Sequence, residues 1–125
     1  MARVLIVDES KESRDALAMI VGIAGHTTDA ASSVAAAERR LAREGYDVVL
    51  IDILMPTMDG LELIRHCRRA YPDLKLVAYT SSPPQPTPAG EHDVLEDARR
   101  FGADATFRKP VSASELVAII GRLAP

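Results

Sequence analysis

Val48-Val49-Leu50-Ile51-Asp52 is the stretch that decides the fold. Four consecutive apolar residues, mostly β-branched and without polar alternation, read as a strand covered on both faces, as in a parallel sheet. Asp52 stops the run and a turn around Pro56 and Gly60 follows. Upstream, Val4-Leu5-Ile6-Val7 repeats the pattern and stops at Asp8-Glu9.

Helix-like and strand-like segments fill the intervals. Ser10 caps a helix whose apolar positions Leu17, Ile20, Val21 and Ala24 keep the helical period, with Gly25 as its stop. Residues 27–30 read as a weaker strand, and 33–44 as a helix turning Val34, Ala37 and Leu41 inward and ending at Gly45. Downstream come a helix over 61–70 with Pro72 at its exit, a strand over 74–80, and a proline-rich loop over 81–90. A helix carrying Val94, Leu95, Ala98 and Phe101 leads to a short strand around 106–108 that ends at Lys109-Pro110. Ser112 or Ser114 caps the last helix, whose Leu116, Ile119, Ile120 and Leu123 form an apolar stripe. The β-α unit thus occurs five times, and right-handed crossovers predict an open parallel sheet with helices on both faces.

The chain has 125 residues, with 15 Lys+Arg against 18 Asp+Glu and a net charge of −3. One domain over 1–125 is expected, large enough to bury a core without disulfides. The mild acidity argues against nucleic acid and anionic membranes as direct partners. The single cysteine, Cys67, cannot form an internal disulfide and fits a reducing compartment. Its register with Leu63 and Ile64 reads as core. The apolar stretch 16–24 is too short to span a bilayer, and the amino terminus meets acids too early for a signal peptide. A cytoplasmic location is expected. His26, His66 and His92 lie in separate elements, without zinc-site spacing. The pairs Arg39-Arg40, Arg68-Arg69 and Arg99-Arg100 read as solvated helix faces.

Open α/β sheets bind ligands at the carboxyl ends of their strands. The first strand ends in Asp8-Glu9, the third in Asp52, the fourth in Thr80 and the fifth at Lys109. Each alone has an ordinary reading: a helix-start acid, a turn residue, a β-former, a solvated charge. Gathered at one edge, three carboxylates repel one another unless a cation intervenes, and an all-oxygen acidic site suits Mg²⁺. Adding a lysine and a hydroxyl makes a phosphoryl-transfer set, in which a carboxylate attacks while cations and a hydrogen bond hold the phosphoryl oxygens.

Val7-Asp8-Glu9, the run from Asp52 through Met55-Pro56-Thr57-Met58-Asp59-Gly60, Thr80-Ser81 and Lys109-Pro110 together resemble the receiver domain of bacterial response regulators in two-component systems, across essentially the whole chain. The resemblance implies a flavodoxin-like, doubly wound (βα)5 sheet of strand order 2-1-3-4-5. It makes Asp52 the phosphoacceptor, served by a sensor histidine kinase or a histidine phosphotransfer protein. It makes Glu9 and Asp52 direct ligands of Mg²⁺ (with Mn²⁺ able to substitute), Asp8 a ligand through water, and the backbone carbonyl of Leu54 a further ligand. Thr80 becomes the hydroxyl that follows the phosphoryl group and Lys109 its cationic partner, aimed inward by a cis bond before Pro110. Such a domain is not an enzyme in the turnover sense; it assists its own phosphorylation and dephosphorylation. Kinase-side partners are expected on the first helix, where Met19 and Ile23 widen the apolar face, unless both are core. The output is a downstream protein partner or a domain absent from this chain.

Two positions depart from that pattern. Thr106 stands where an aromatic switch residue is common, and the neighbouring Phe107 points to the other face by alternation. The loop 81–90 is long and holds Pro83, Pro84, Pro86 and Pro88, which bias it towards polyproline II geometry. It reads as a surface insertion or a partial lid over Asp52; its Pro83-Pro84-Gln85-Pro86 is a weak match to a Pro-x-x-Pro ligand. Leu54 and Ser82, two residues beyond Asp52 and Thr80, flank the expected water path, and the apolar Leu54 predicts slow dephosphorylation.

Three other readings fit these residues less well. A Mg²⁺-dependent phosphohydrolase with an aspartate nucleophile needs a second acid where Ser10 stands. A flavodoxin-like cofactor binder needs a phosphate loop where Asp8-Glu9 stands. A degenerate receiver acting only as an interaction module would not need the full acidic set with Thr80 and Lys109.

Overall fold

The computed structural model describes residues 1–55 and 58–125. Pro56 and Thr57, part of the expected turn and of the motif after Asp52, lie outside the described residues. The elements run β1 (Arg3–Val7), α1 (Lys11–Ile23), β2 (Thr27–Ala31), α2 (Val34–Arg43), β3 (Val48–Asp52), α3 (Gly60–Ala70), β4 (Lys75–Thr80), α4 (Val94–Phe101), β5 (Ala105–Arg108) and α5 (Ala113–Leu123). All five strands are parallel, in the order β2-β1-β3-β4-β5. The fold is the doubly wound α/β sheet that the sequence predicts.

Strand alternation builds two cores. Leu5, Val7, Val49, Ile51, Leu76 and Ala78 face a layer with α2, α3 and α4, which adds Leu41, Leu63, Ile64, Cys67 and Leu95. Val4, Ile6, Val48, Leu50, Val77, Tyr79 and Phe107 face α1 and α5, which add Leu17, Val21, Leu116 and Ile120. The central strands are apolar on both faces because both faces are covered. Side chains of Ser10, Ser33, Asp59, Asp93 and Ser112 accept from backbone amides at the starts of the five helices, so Ser112 rather than Ser114 caps α5.

Two expectations are corrected. The segment 81–90 is not a polyproline II loop. Gln85–Thr87 pairs antiparallel with Gly90–His92 in an exposed hairpin, with Pro86 opposite Glu91 and Gly90 turning the chain at φ 127°. Proline fixes one dihedral and leaves its carbonyl free, so it tolerates this short ladder. Nor is Arg68 a solvated charge. Its guanidinium donates to the carbonyls of Gly102, Pro72 and Leu74 and pairs with Asp104 at 2.7 Å, joining α3 to the turn between α4 and β5. Arg99 stays exposed, as expected, and donates to the Thr106 hydroxyl.

Candidate functional site

Asp8, Glu9, Asp52, Thr80 and Lys109 all stand at the carboxyl edge of the sheet. In register, Asp52 of β3 lies beside Tyr79 of β4, and Thr80 lies beside Arg108 of β5. The Lys109 amide donates to the Thr80 carbonyl at 2.8 Å, which carries the ladder one residue further and brings the lysine next to the threonine. The Lys109–Pro110 peptide is cis, as expected.

Asp8 is 1% exposed. Its Oδ1 accepts from the Ser10 amide at 2.9 Å and its Oδ2 from the Tyr79 hydroxyl at 2.6 Å. Burial works against its charge, yet hydrogen bonds from Ser13, Tyr79 and Ser10, with the Lys109 charge, hold the carboxyl below its usual range. Arg14 reaches back from α1 to the carbonyls of Asp8 and Glu9 at 2.8 and 2.9 Å, which fixes the turn that presents both acids.

Asp52 has the opposite electrostatics. Burial and the charges of Asp8 and Glu9 push its carboxyl up to about 6, against a Leu54 amide bond to Oδ1 at 3.0 Å and the pull of Lys109. The segment around it is set by close packing. A Cβ on Gly60, the first residue of α3, would lie 2.6 Å from the Asp52 carbonyl oxygen and from the Ile53 Cα. Only glycine lets α3 start against the backbone of the Asp52 turn. The Thr80 side chain is buried, and its hydroxyl accepts from the Ser82 amide at 3.1 Å.

Lys109 donates to the Ser13 hydroxyl at 2.8 Å, lies 3.7 Å from Asp8 Oδ2, and sits over the Tyr79 ring at 5.3 Å from its centroid. Tyr79, Ser13, Arg14 and the contact made by Gly60 were not among the residues that the sequence pointed to as forming the site. Tyr79 was legible only as a large strand residue with a polar tip, one place before Thr80.

Thr106 is partly buried, and Phe107 lies in the other layer, stacked on Tyr79 at 4.8 Å, as alternation predicts. Met19 and Ile23 are 66% and 82% exposed, so neither is core. Beside them α1 and the segment after β5 enclose a groove of about 370 Å³ lined by Ser13, Leu17, Ile20, Lys109 and Pro110 among others. The base of the proline-rich hairpin is tied down by Arg108, which donates to the Ser82 carbonyl and pairs with Asp93 at 2.5 Å. Among the described residues, no three His, Cys, Asp or Glu side chains converge tightly enough to hold a metal ion by themselves. No helix of the described residues is long and apolar enough to cross a membrane.

The fold and this edge together define a doubly wound α/β protein with an acidic pocket flanked by one lysine and one buried threonine. The chain belongs to the response regulator receiver domain family, whose sequence pattern matches residues 4–121. It is 34% identical over 121 residues to the response regulator protein FleR of Pseudomonas aeruginosa, covering 97% of this chain and 24% of FleR. It is 31% identical over 121 residues to the response regulator MprA of Mycobacterium leprae, covering 97% of this chain and 50% of MprA. The chain therefore spans about a quarter and a half of these two relatives. The crystal structure of the receiver domain of NtrX from Brucella abortus superposes with a TM-score of 0.83 at 26% identity, covering 96% of both chains. Receiver domains belong to two-component systems, generally bind Mg²⁺ at the acidic pocket, and are generally not turnover enzymes.

Proposed function

We propose that this chain is a phosphoacceptor whose Asp52 takes a phosphoryl group from a phosphohistidine of a sensor kinase or phosphotransfer protein. The observation that carries the reading is the setting of Asp52: a carboxylate raised first by burial and then by Asp8 and Glu9, with Thr80 at the end of the adjoining β4 and Lys109 just beyond β5. The donor set fits Mg²⁺. Uncompensated negative charge at Asp52 is what a divalent cation relieves, and Mg²⁺ asks for one or two carboxylates with water completing its shell. Glu9, Asp52 and the Leu54 carbonyl would hold the ion directly and Asp8 through water, since both Asp8 oxygens already accept hydrogen bonds. When bound, the ion neutralises charge on the phosphoryl oxygens.

The Asp52 carboxylate oxygen forms the new O–P bond while the histidine N–P bond breaks, and the imidazole takes a proton from solvent. Lys109 balances charge on the transferred group, and Thr80 turns its hydroxyl from the Ser82 amide to a phosphoryl oxygen. The partner docks on α1, where Met19 and Ile23 lie exposed beside the Lys109 groove. Leu54, 48% exposed, offers no polar side-chain atom to orient an attacking water, so the aspartyl phosphate is long-lived.

The phosphohydrolase alternative lacks support, because Ser10, at the place of its second acid, is the cap of α1. Mass spectrometry after treatment with a small phosphodonor and Mg²⁺ tests the reading. A gain of one phosphoryl group that Asp52→Asn abolishes is expected. A gain that survives the substitution, or none in the unsubstituted chain, overturns it.

A further inference from the structure

Tyr79 and Lys109 converge on the same oxygen of Asp8. The Tyr79 side chain is fully buried and lies nearly parallel to Phe107, with 9° between the rings. Its hydroxyl donates to Asp8 Oδ2 at 2.6 Å. The Lys109 ammonium makes a loose ion pair with that oxygen at 3.7 Å, above the Tyr79 ring, and gives its hydrogen bond to Ser13 instead.

We propose that Tyr79 is a positioning residue of the phosphoryl-transfer site, whose hydroxyl occupies Asp8 Oδ2 and so keeps Lys109 from collapsing onto Asp8. The inference rests on the function proposed above. A buried carboxylate and an ammonium in a loose ion pair close to a hydrogen-bonded one unless something else satisfies them. That pair would take the negative charge of Asp8 away from the cation site and the positive charge of Lys109 away from Asp52. A phenol satisfies the carboxylate with a neutral donor, leaving the charge of Asp8 intact. Its ring face gives the ammonium a favourable resting place that is not a carboxylate. The Phe107 stack sits against one face of the ring and restrains its tilt, so the hydroxyl stays on Asp8. A Val, Leu or Phe at position 79 would leave Oδ2 open to the lysine.

Tyr79→Phe isolates the hydroxyl, since it keeps the ring and the stack. Mg²⁺ binding by calorimetry and the rate of phosphorylation by a small phosphodonor at saturating Mg²⁺ are measured on the full chain. Losing the outer partner of a metal-site ligand is expected to weaken Mg²⁺ binding about tenfold. The maximal phosphorylation rate should fall with it, while the donor concentration at half-maximal rate stays the same. Ser13→Ala, which frees Lys109 from its other tether, should shift both readouts the same way. The double variant should lose less than the sum, because both changes release one ammonium onto one oxygen. Tyr79→Phe that matches the unsubstituted chain in Mg²⁺ affinity and rate overturns the inference and leaves the phosphoacceptor reading standing. Should Tyr79→Phe fail to fold, an unchanged Ser13→Ala overturns it equally. An unsubstituted chain that binds no Mg²⁺ overturns both.

Discussion

Removing the negative charge of Asp52 should stabilise the metal-free protein at neutral pH and leave it little changed in acid. The Asp52 carboxyl rises from an ordinary value of 3.8 to about 6, chiefly through burial, with Asp8 and Glu9 adding repulsion. A group raised in this way contributes stability that is fully present below its unfolded value and is lost as pH rises through the folded one. A rise of about two units corresponds to about 3 kcal/mol at most. Asp52 is only partly buried, so solvent screening reduces this to about 1–2 kcal/mol. Asp52→Asn keeps the shape and the Leu54 amide contact but cannot ionise. Urea unfolding of both proteins in EDTA should therefore show Asp52→Asn the more stable by about 1–2 kcal/mol at pH 7.5, with most of the gap gone near pH 4. Asp8 and the other titrating groups are common to both proteins, so they cancel to first order. Added Mg²⁺ should narrow the gap at pH 7.5, because a ligand bound only by the folded state stabilises the chain that binds it better. A difference that does not change with pH, or Asp52→Asn being the less stable at pH 7.5, would refute the electrostatic account of this pocket.

Other perturbations test how the site is held. Gly60→Ala forces a Cβ to within 2.6 Å of the Asp52 and Ile53 backbone, so it should cost about 1–3 kcal/mol in urea unfolding, as overpacking does, and weaken Mg²⁺ binding by shifting the Asp52 turn. Arg68→Met strips the guanidinium from the Gly102 and Leu74 carbonyls and from Asp104, and thermal unfolding should show a loss of about 2–3 kcal/mol. Replacing the hairpin of Gln85–Thr87 and Gly90–His92 by a short Gly-Ser turn should leave stability unchanged, because both strands are exposed throughout. If the hairpin screens Asp52, the same replacement speeds phosphorylation or dephosphorylation; unchanged rates mark it as a tolerated insertion.

What could be read from the sequence, and what could not, follows from how far apart the interacting residues lie. Val4 to Val7 and Val48 to Ile51 announce buried strands because four apolar residues in a row have no solvated face. Thr27–Ala31 is weaker, since an edge strand needs only partial cover. Which strands adjoin is not encoded in any local period, and the order 2-1-3-4-5 came with the family resemblance. Chain connectivity alone places Asp8, Glu9, Asp52, Thr80 and Lys109 at one edge, so the reacting groups were legible. The groups that hold them were not. Arg68 resembles Arg69 in sequence, and only the turn between α4 and β5, 34 residues away, tells them apart. Gly60 shows its purpose only when α3 folds back on Asp52. The hairpin was hidden because proline content reports single dihedrals, whereas pairing depends on partners across the turn. Tyr79 is the instructive case. The alternation that turns it towards α1 and α5 also separates it from Thr80, which suggests two unrelated roles. Yet Asp8, next after Val7, stands level with Asp52 and Tyr79, and the phenol is long enough to carry its hydroxyl across β3 to it. Facing and reach together, not adjacency in the chain, decide which side chains at the end of a strand belong to the pocket, for Asp8 continues the face of Val4 and Ile6 that Tyr79 shares.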